Sequence, residues 1–335
     1  MSRPDNEAEQ KDGYGERLKE ITAVLKKHSI TRGVSPEKLR LILEDLGPTY
    51  IKLGQLMSLR SDILPKRYCD ELMKLCSDVP PMPFSEVIEV LEESMGCPWQ
   101  AEFKEIQERP LGSASIAQVH RATLKTGEEV VIKVQRKGIY ETMARDIGLM
   151  HKAVRLMPPV SIKGAVDLNM VLSELWTVTQ EEMNFLTEAA NISEFAKKNK
   201  GVAFVKTPIL YREYTTTHVL VMEYIDGIAI NDKEKLLQNG YDLNEIGSKF
   251  VDNFIKQVIE DGFFHADPHP GNVRIRGGKI VWIDMGMMGR LSDRDRELIG
   301  EAIEGVALND IGKIQDAVLA LGEFKGKPDQ SRLYT

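Results

Sequence analysis

Two carboxylates and a carboxamide define the chemistry that this sequence could perform. Asp267 and Asn272 lie in the loop His265-Ala266-Asp267-Pro268-His269-Pro270-Gly271-Asn272, and Asp284 follows in Ile283-Asp284-Met285-Gly286. Between them, residues 273–275 and 279–283 read as a hairpin turning at Gly277-Gly278, which can fold the three side chains together. Hard oxygen donors of this kind suit magnesium, which takes a few protein oxygens and completes its shell with nucleotide phosphates. Either aspartate alone would be an ordinary turn or cap residue. The spacing D-x-x-x-x-N, hairpin, D-x-G is instead that of a phosphoryl-transfer loop followed by a metal-binding aspartate. His265, Asp267 and His269 could also be read as transition-metal ligands of a hydrolase. Prolines flank His269, however, and no further His/Asp cluster completes such a coordination sphere.

A phosphate site also needs a cation. Val131-Ile132-Lys133 reads as a strand whose lysine would sit beside nucleotide phosphates and lower their repulsion. An isolated V-I-K is usually an exposed sheet-edge lysine, but the upstream residues change its weight. Leu111-Gly112-Ser113-Ala114-Ser115-Ile116-Ala117-Gln118-Val119 occupies the place of a glycine-rich phosphate loop, with a hairpin between it and Lys133. Small residues replace most of the glycines, which predicts a stiffer loop. A buried lysine needs a carboxylate, and Glu182 and Glu188 are candidates on a long helical pattern. At roughly 100° per residue on one helix they point about 120° apart and serve different partners. Glutamates on a long helix are otherwise solvated charge. Leu220-Val221-Met222-Glu223-Tyr224 reads as an apolar strand running into a hinge whose backbone meets adenine.

The elements that must position these groups follow from periodicity. Residues 1–14 are polar and read as a flexible tail. Residues 15–98 read as a helical block: Ser35-Pro36 opens a helix, residues 50–59 carry Lys52-Leu53-Gly54-Gln55, and residues 84–95 show a stripe of Val87, Val90 and Leu91. Strands are expected at 103–106, 116–123 and 130–134, the last two joined at Lys125-Thr126-Gly127. Helical patterns follow at 140–157 and 166–198, with strands at 203–205, 209–211 and 218–224, a helix over 243–260, and further helices from Ser292 and near Asn309. The reading is an α+β, bilobal, kinase-like fold. A small antiparallel sheet lobe spans 99–224, a helical lobe spans 225–335, and the helical extension precedes both.

The bulk numbers exclude several classes. At 335 residues and 42% hydrophobic content the chain buries a real core. A net charge of -7 argues against nucleic acid as a partner. Cys69, Cys76 and Cys97 form no metal-ligand pairing and point to a reducing, cytoplasmic compartment. The N-terminal residues lack the apolar core of a secretion signal. Ile21, Val24, Leu25, Leu56 and Met57 could touch lipid but read better as an internal packing face.

Together these segments resemble the UbiB/ADCK family of atypical kinases, the coenzyme Q biosynthesis group. The likeness covers about residues 40–291. It rests on LGPTYIKLGQ, GSASIAQVH, the Glu182 to Asn191 segment, and HADPHPGN with its following DMG. It implies Lys133 as the strand lysine, Glu188 as its ion-pair partner, and Asp267, Asn272 and Asp284 as catalytic-loop and metal residues. Nucleotide contacts are expected from Gly112, Ser113, Ala114, Ser115, Gln118, Lys133, Glu223 and Tyr224. In the family the K-x-G-Q helix folds over the place of a protein substrate, so Lys52, Gly54 and Gln55 are expected to act as a regulatory element facing Glu182. Glu182-Met183-Asn184 stands where the family has E-x-D, with an amide in place of the second carboxylate. Gly112 and Ser113 replace alanines that restrain kinase activity in the family.

Two sequence features agree with an occluded site. The loop reads His-Ala-Asp rather than His-Arg-Asp, and few residues separate Asp284 from Ser292. The expected function is magnesium-dependent ATP binding and hydrolysis, an atypical kinase or ATPase using ATP/ADP and Mg2+. It would support isoprenoid quinone biosynthesis or lipid handling at a membrane, with a lipid or quinone precursor and quinone-biosynthesis proteins as partners. The alternative is a pseudokinase module whose nucleotide state switches affinity for a lipid or protein. The stretch after Gly322 reads as a linker, with membrane helices expected beyond it in full-length relatives, so the full-length protein is expected to be membrane-associated.

Overall fold

The computed structural model describes residues 5–61, 63–75, 79–156 and 168–322, and the chain divides into two compact units. Unit 1 comprises residues 1–187 and 211–223, and unit 2 comprises residues 188–210 and 224–335.

In unit 1 the helices are α1 (Asp5–Lys27), α2 (Pro36–Leu46), α3 (Pro48–Ser58), α4 (Lys66–Leu72) and α5 (Phe84–Met95). Helix α1 begins within the stretch that the sequence reads as a tail. Helix α2 starts as its sequence demands, with Pro36 at the first turn and Ser35 Oγ accepting from the Lys38 N–H at 3.2 Å. Ile42, Leu43, Leu46, Tyr50, Ile51, Leu72 and Leu75 form one core, and Ile21, Val24, Leu25 and Met57 pack against it. That stripe is therefore an internal face.

The sheet of unit 1 contains β1 (Phe103–Ile106), β2 (Gly112–Ser113), β3 (Ala117–Leu124), β4 (Glu129–Gln135) and, later in the chain, β6 (Val219–Glu223). Its order is β1-β3-β4-β6, all antiparallel, with β2 paired to β3. The period-2 alternation of β4 turns Val130, Ile132 and Val134 onto Val87, Val90 and Leu91 of α5, while Lys133 takes the opposite face. Helices α6 (Ile139–Leu156) and α7 (Leu168–Glu182) complete the unit, and α8 (Phe185–Lys198) leads into unit 2.

Unit 2 holds a second sheet of β5 (Val205–Lys206), β7 (Ile228–Ala229), β9 (Val273–Arg276) and β10 (Lys279–Trp282), ordered β5-β10-β9-β7. Gly277 and Gly278, at φ 58° and 72°, make the β9–β10 turn that the Gly-Gly pair predicts. A separate ladder pairs β8 (Phe263–His265) with β11 (Met288–Arg290). The helices are α9 (Lys233–Gln238), α10 (Leu243–Ile255), α11 (Asp293–Leu308) and α12 (Ile311–Leu321), and α10 runs on into a π-helical turn over Lys256–Glu260. Among the described residues, no helix is long and apolar enough to cross a membrane.

The structure corrects two readings of the pattern. The stretch expected as one helix over 166–198 is broken between α7 and α8, residues 166–167 lying outside the described residues. The cause is Asn184, whose Oδ1 accepts from the Leu186 N–H at 3.1 Å and restarts the helix as a side-chain cap. Glu182 and Glu188 therefore sit on different helices, and the angle computed for a single helix does not apply. The strand expected over 209–211 is reduced to a single bridge at Leu210, and a 3-10 turn follows over Arg212–Tyr214.

Candidate functional site

His265 organises the acid-bearing loop of unit 2. It ends β8 and is buried, its ring stacked on Trp282 with centroids 4.8 Å apart. Its Nδ1 accepts from the Asp267 N–H at 3.2 Å, so the ring proton lies on Nε2, which donates to the Asp284 carbonyl at 2.6 Å. Burial pushes the His265 pKa below the ordinary histidine range, against the opposing pull of the Asp284 carbonyl. A neutral imidazole in one tautomer thus ties the backbone of Asp267 to that of Asp284.

The other loop contacts fix the donor set. The Asn272 amide nitrogen donates to the Asp267 carbonyl at 3.1 Å, which turns the amide oxygen away from that bond. Asp284 Oδ1 accepts from the Gly286 N–H at 2.9 Å. Glu188, also in unit 2, is buried and accepts from the Met285 N–H at 3.4 Å, while Asn191 donates to the Met285 carbonyl at 3.0 Å. Asp267 is exposed, and Asn272 and Asp284 are half-buried. A carboxylate, a carboxamide oxygen and a second carboxylate are the hard donors that magnesium takes.

Behind this loop lies a chain of buried amides that sequence reasoning missed. Gln257, on the π-helical turn, accepts from the His265 N–H at 3.0 Å and donates to Asn253 Oδ1 at 2.9 Å. Asn253 Oδ1 also accepts from Trp282 Nε1 at 2.9 Å, and its nitrogen donates to Asn199 Oδ1 at 2.8 Å. An interrupted helix at such a point is a common mark of a functional region. Asn253 and Gln257 lie one helical turn apart but beside Asp252 and Lys256, so nothing in the sequence sets them off from solvated helix positions.

Strand β11 explains the short segment after Asp284. It returns directly along β8, with Gly289 opposite Phe264. A Cβ at Gly289 would lie 2.3 Å from the Phe264 ring, so a larger residue there requires that ring to move.

In unit 1, Lys133 is half-buried, opposite Val119 and Leu220, with its Nζ 5.5 Å from the centroid of the Phe185 ring. Gly112 and Ala114 of the small-residue loop are exposed, whereas Ser113, Ser115 and Gln118 are buried. The Gln118 side chain belongs to a structural network. Its oxygen accepts from the Met82 N–H at 2.8 Å and its nitrogen meets His120 Nε2 at 2.9 Å, while His120 Nδ1 contacts the Gln107 carbonyl at 2.8 Å. Only a neutral His120 protonated on Nδ1 satisfies both contacts, and burial correspondingly lowers its pKa. Glu223 ends β6 in unit 1 and Tyr224 opens the next stretch of unit 2.

The K-x-G-Q segment forms most of α3. Lys52 makes an ion pair with Glu182 at the end of α7, both largely buried. Gly54 is where α3 meets the leucines of its neighbours: a Cβ would lie 2.3 Å from Leu75 Cδ1 and 2.7 Å from Leu43 Cδ1. Gln55 donates to the Leu75 carbonyl at 3.4 Å. Asn184, in place of a second carboxylate, is the cap that opens α8.

Residues 74–318 match a family model described as the ABC1 atypical kinase-like domain. A protein in the hydrogenase 1 5′ region of Clostridium pasteurianum is 40% identical, covering 95% of this chain and 62% of that protein. Protein ACTIVITY OF BC1 COMPLEX KINASE 8, chloroplastic, of Arabidopsis thaliana is 37% identical over 93% of this chain and 41% of its own length. The probable protein kinase UbiB of Azotobacter vinelandii is 36% identical, over 83% of this chain and 53% of its own. The chain therefore spans between 41% and 62% of the length of these three relatives. Among solved structures, Rv3197 of Mycobacterium tuberculosis, determined with erythromycin, is similar with a TM-score of 0.58 and 25% identity, over 93% of this chain and 78% of that one.

Proposed function

The chain belongs to the ABC1 atypical kinase-like family, and from that premise we propose that it binds ATP or ADP with magnesium and cleaves the bond between the β- and γ-phosphates of ATP, leaving ADP. One observation carries the reading: the His265 ring bonds the backbone of both Asp267 and Asp284, so the two acids of the motif share one frame. Asn272 and Asp284 would hold magnesium through side-chain oxygens. Bound magnesium would offset charge on the phosphates. Asp267, exposed on its loop, would orient and deprotonate the attacking hydroxyl or water. Lys133 would meet phosphate oxygens, with Glu188 as the carboxylate that the resemblance pairs with it. The small-residue loop would present backbone N–H groups, and Glu223 and Tyr224 would meet the adenine.

The wider role, support of isoprenoid quinone biosynthesis or lipid handling at a membrane, is proposed from the family resemblance and the UbiB relative. In this reading Lys52 and Glu182 keep α3 and α7 together as a regulatory element. A pseudokinase module is the weaker reading, because Lys133, Asp267, Asn272 and Asp284 are all present.

The test is ATP hydrolysis by wild type and Asp267→Asn, with and without anionic liposomes. Wild type is expected to hydrolyse ATP faster on liposomes, and the variant to lose roughly 100-fold in kcat while still binding nucleotide. Binding without measurable hydrolysis in wild type under both conditions would leave the module reading in place of the enzyme.

A further inference from the structure

Arg136 follows Lys133 by three residues, just past the end of β4, and its guanidinium reaches three uncharged oxygens on two other segments. Nε donates to the Ala114 carbonyl at 2.8 Å; Nη2 donates to Ser113 Oγ at 2.6 Å and to the Pro80 carbonyl at 2.9 Å. The backbone adds to the clamp. The Arg136 N–H donates to the Ile116 carbonyl at 2.8 Å, and the Val79 N–H donates to the Ser113 carbonyl at 3.1 Å. The Ala114 N–H closes the loop on the Ala117 carbonyl at 2.8 Å. A planar fork of five N–H groups can make such a set of bonds; a lysine ammonium on its flexible stem cannot reproduce its spread.

We propose that Arg136 is a positioning residue that straps the Gly112–Ala117 loop from outside and thereby sets nucleotide affinity. The inference rests on the nucleotide reading above and adds the device that holds its phosphate loop. Gly112 and Ala114 are the exposed residues of the loop, and both backbone polar groups of Ala114 are already engaged, its N–H by the Ala117 carbonyl and its carbonyl by the strap, which also takes Ser113 Oγ. A loop already held in place loses little further freedom on binding, so releasing it weakens affinity. A loop that holds phosphates equally in ground and transition states acts on KM and leaves kcat nearly unchanged.

The experiment compares wild type, Arg136→Ala and Arg136→Lys by amide hydrogen exchange and steady-state ATP hydrolysis. In Arg136→Ala, exchange over residues 111–117 is expected to accelerate roughly 10-fold while β1 keeps its wild-type rate. The KM for ATP is expected to rise about 10-fold with kcat within about 2-fold, and Arg136→Lys to fall between the two. Unchanged exchange over 111–117 in Arg136→Ala would overturn the proposal. So would faster exchange throughout the sheet with kcat falling alongside, which would mean general loosening. Should wild type neither bind nor hydrolyse ATP, the nucleotide reading fails by itself, and the exchange comparison still decides whether Arg136 holds the loop.

Discussion

The acid loop of unit 2 is held from within, by His265 and the amides of Gln257, Asn253 and Asn199, all of them buried. The small-residue loop of unit 1 is held largely from outside, by the partly exposed Arg136 and by backbone bonds. The contrast separates two ways of fixing a site. Groups tied into the core gain position at the cost of coupling their geometry to folding. A strap near the surface can be cut while the fold survives, so the two loops should answer mutation in different currencies: stability for unit 2, ligand affinity for unit 1.

The largest effect is expected from Asn253→Leu. It leaves the Trp282 and Gln257 N–H groups and the Asn199 oxygen without partners, and each orphaned buried group costs about 1–3 kcal/mol. Urea unfolding should show a loss of roughly 3–5 kcal/mol, less than the simple sum because networks are not additive. If Asn253→Leu costs no more than Arg136→Ala, the contrast between inner and outer support collapses.

Gly54→Ala sharpens the comparison inside unit 1, where α3 depends on the core as the acid loop does. Alanine gains about 1 kcal/mol in helix propensity over glycine, but the overpacking against Leu43 and Leu75 costs about 1–3 kcal/mol. A net loss of about 1 kcal/mol is expected in thermal unfolding. A rise in the melting temperature would show that α3 has slack and that its glycine answers to something other than packing.

The smallest effect is shared between the units. His120 and His265 are buried with pKa values lowered by desolvation, so the unfolded chain binds their protons more readily. Their contribution is fully present above the ordinary histidine pKa and is lost as pH falls below about 6.5 towards the lowered folded values. Each histidine then contributes a slope of at most about 1.4 kcal/mol per pH unit. His120→Gln should reduce the drop in unfolding free energy measured between about pH 7.5 and about pH 5.5. An identical drop in the variant would place the titration elsewhere.

Much of the fold was legible because its signals are local. The stripe of Val87, Val90 and Leu91, the Ser35-Pro36 opening and the Gly277-Gly278 turn each encode one element with one cause. The resemblance to atypical kinases rested on motifs, and the family match agrees with it. The supports of the site were not legible. Arg136 bonds mainly to backbone carbonyls, whose positions leave no trace in residue type. Asn253 and Gln257 have the composition of solvated helix positions, and only burial shows that they face Trp282 and His265. Asn184 broke a continuous helical pattern through a cap, an effect of a single side-chain oxygen that periodicity does not register.

The central claim, that Asp284 carries the magnesium of a bound nucleotide, is tested most directly by titrating ATP and ADP into wild type and Asp284→Asn with and without magnesium. Asparagine keeps an oxygen for the Gly286 N–H, so the loop should persist while the charge is lost. Magnesium is predicted to tighten ATP binding in wild type and to lose most of that effect in the variant. Equal magnesium dependence in both proteins would contradict the account, because the metal would then be held by other residues.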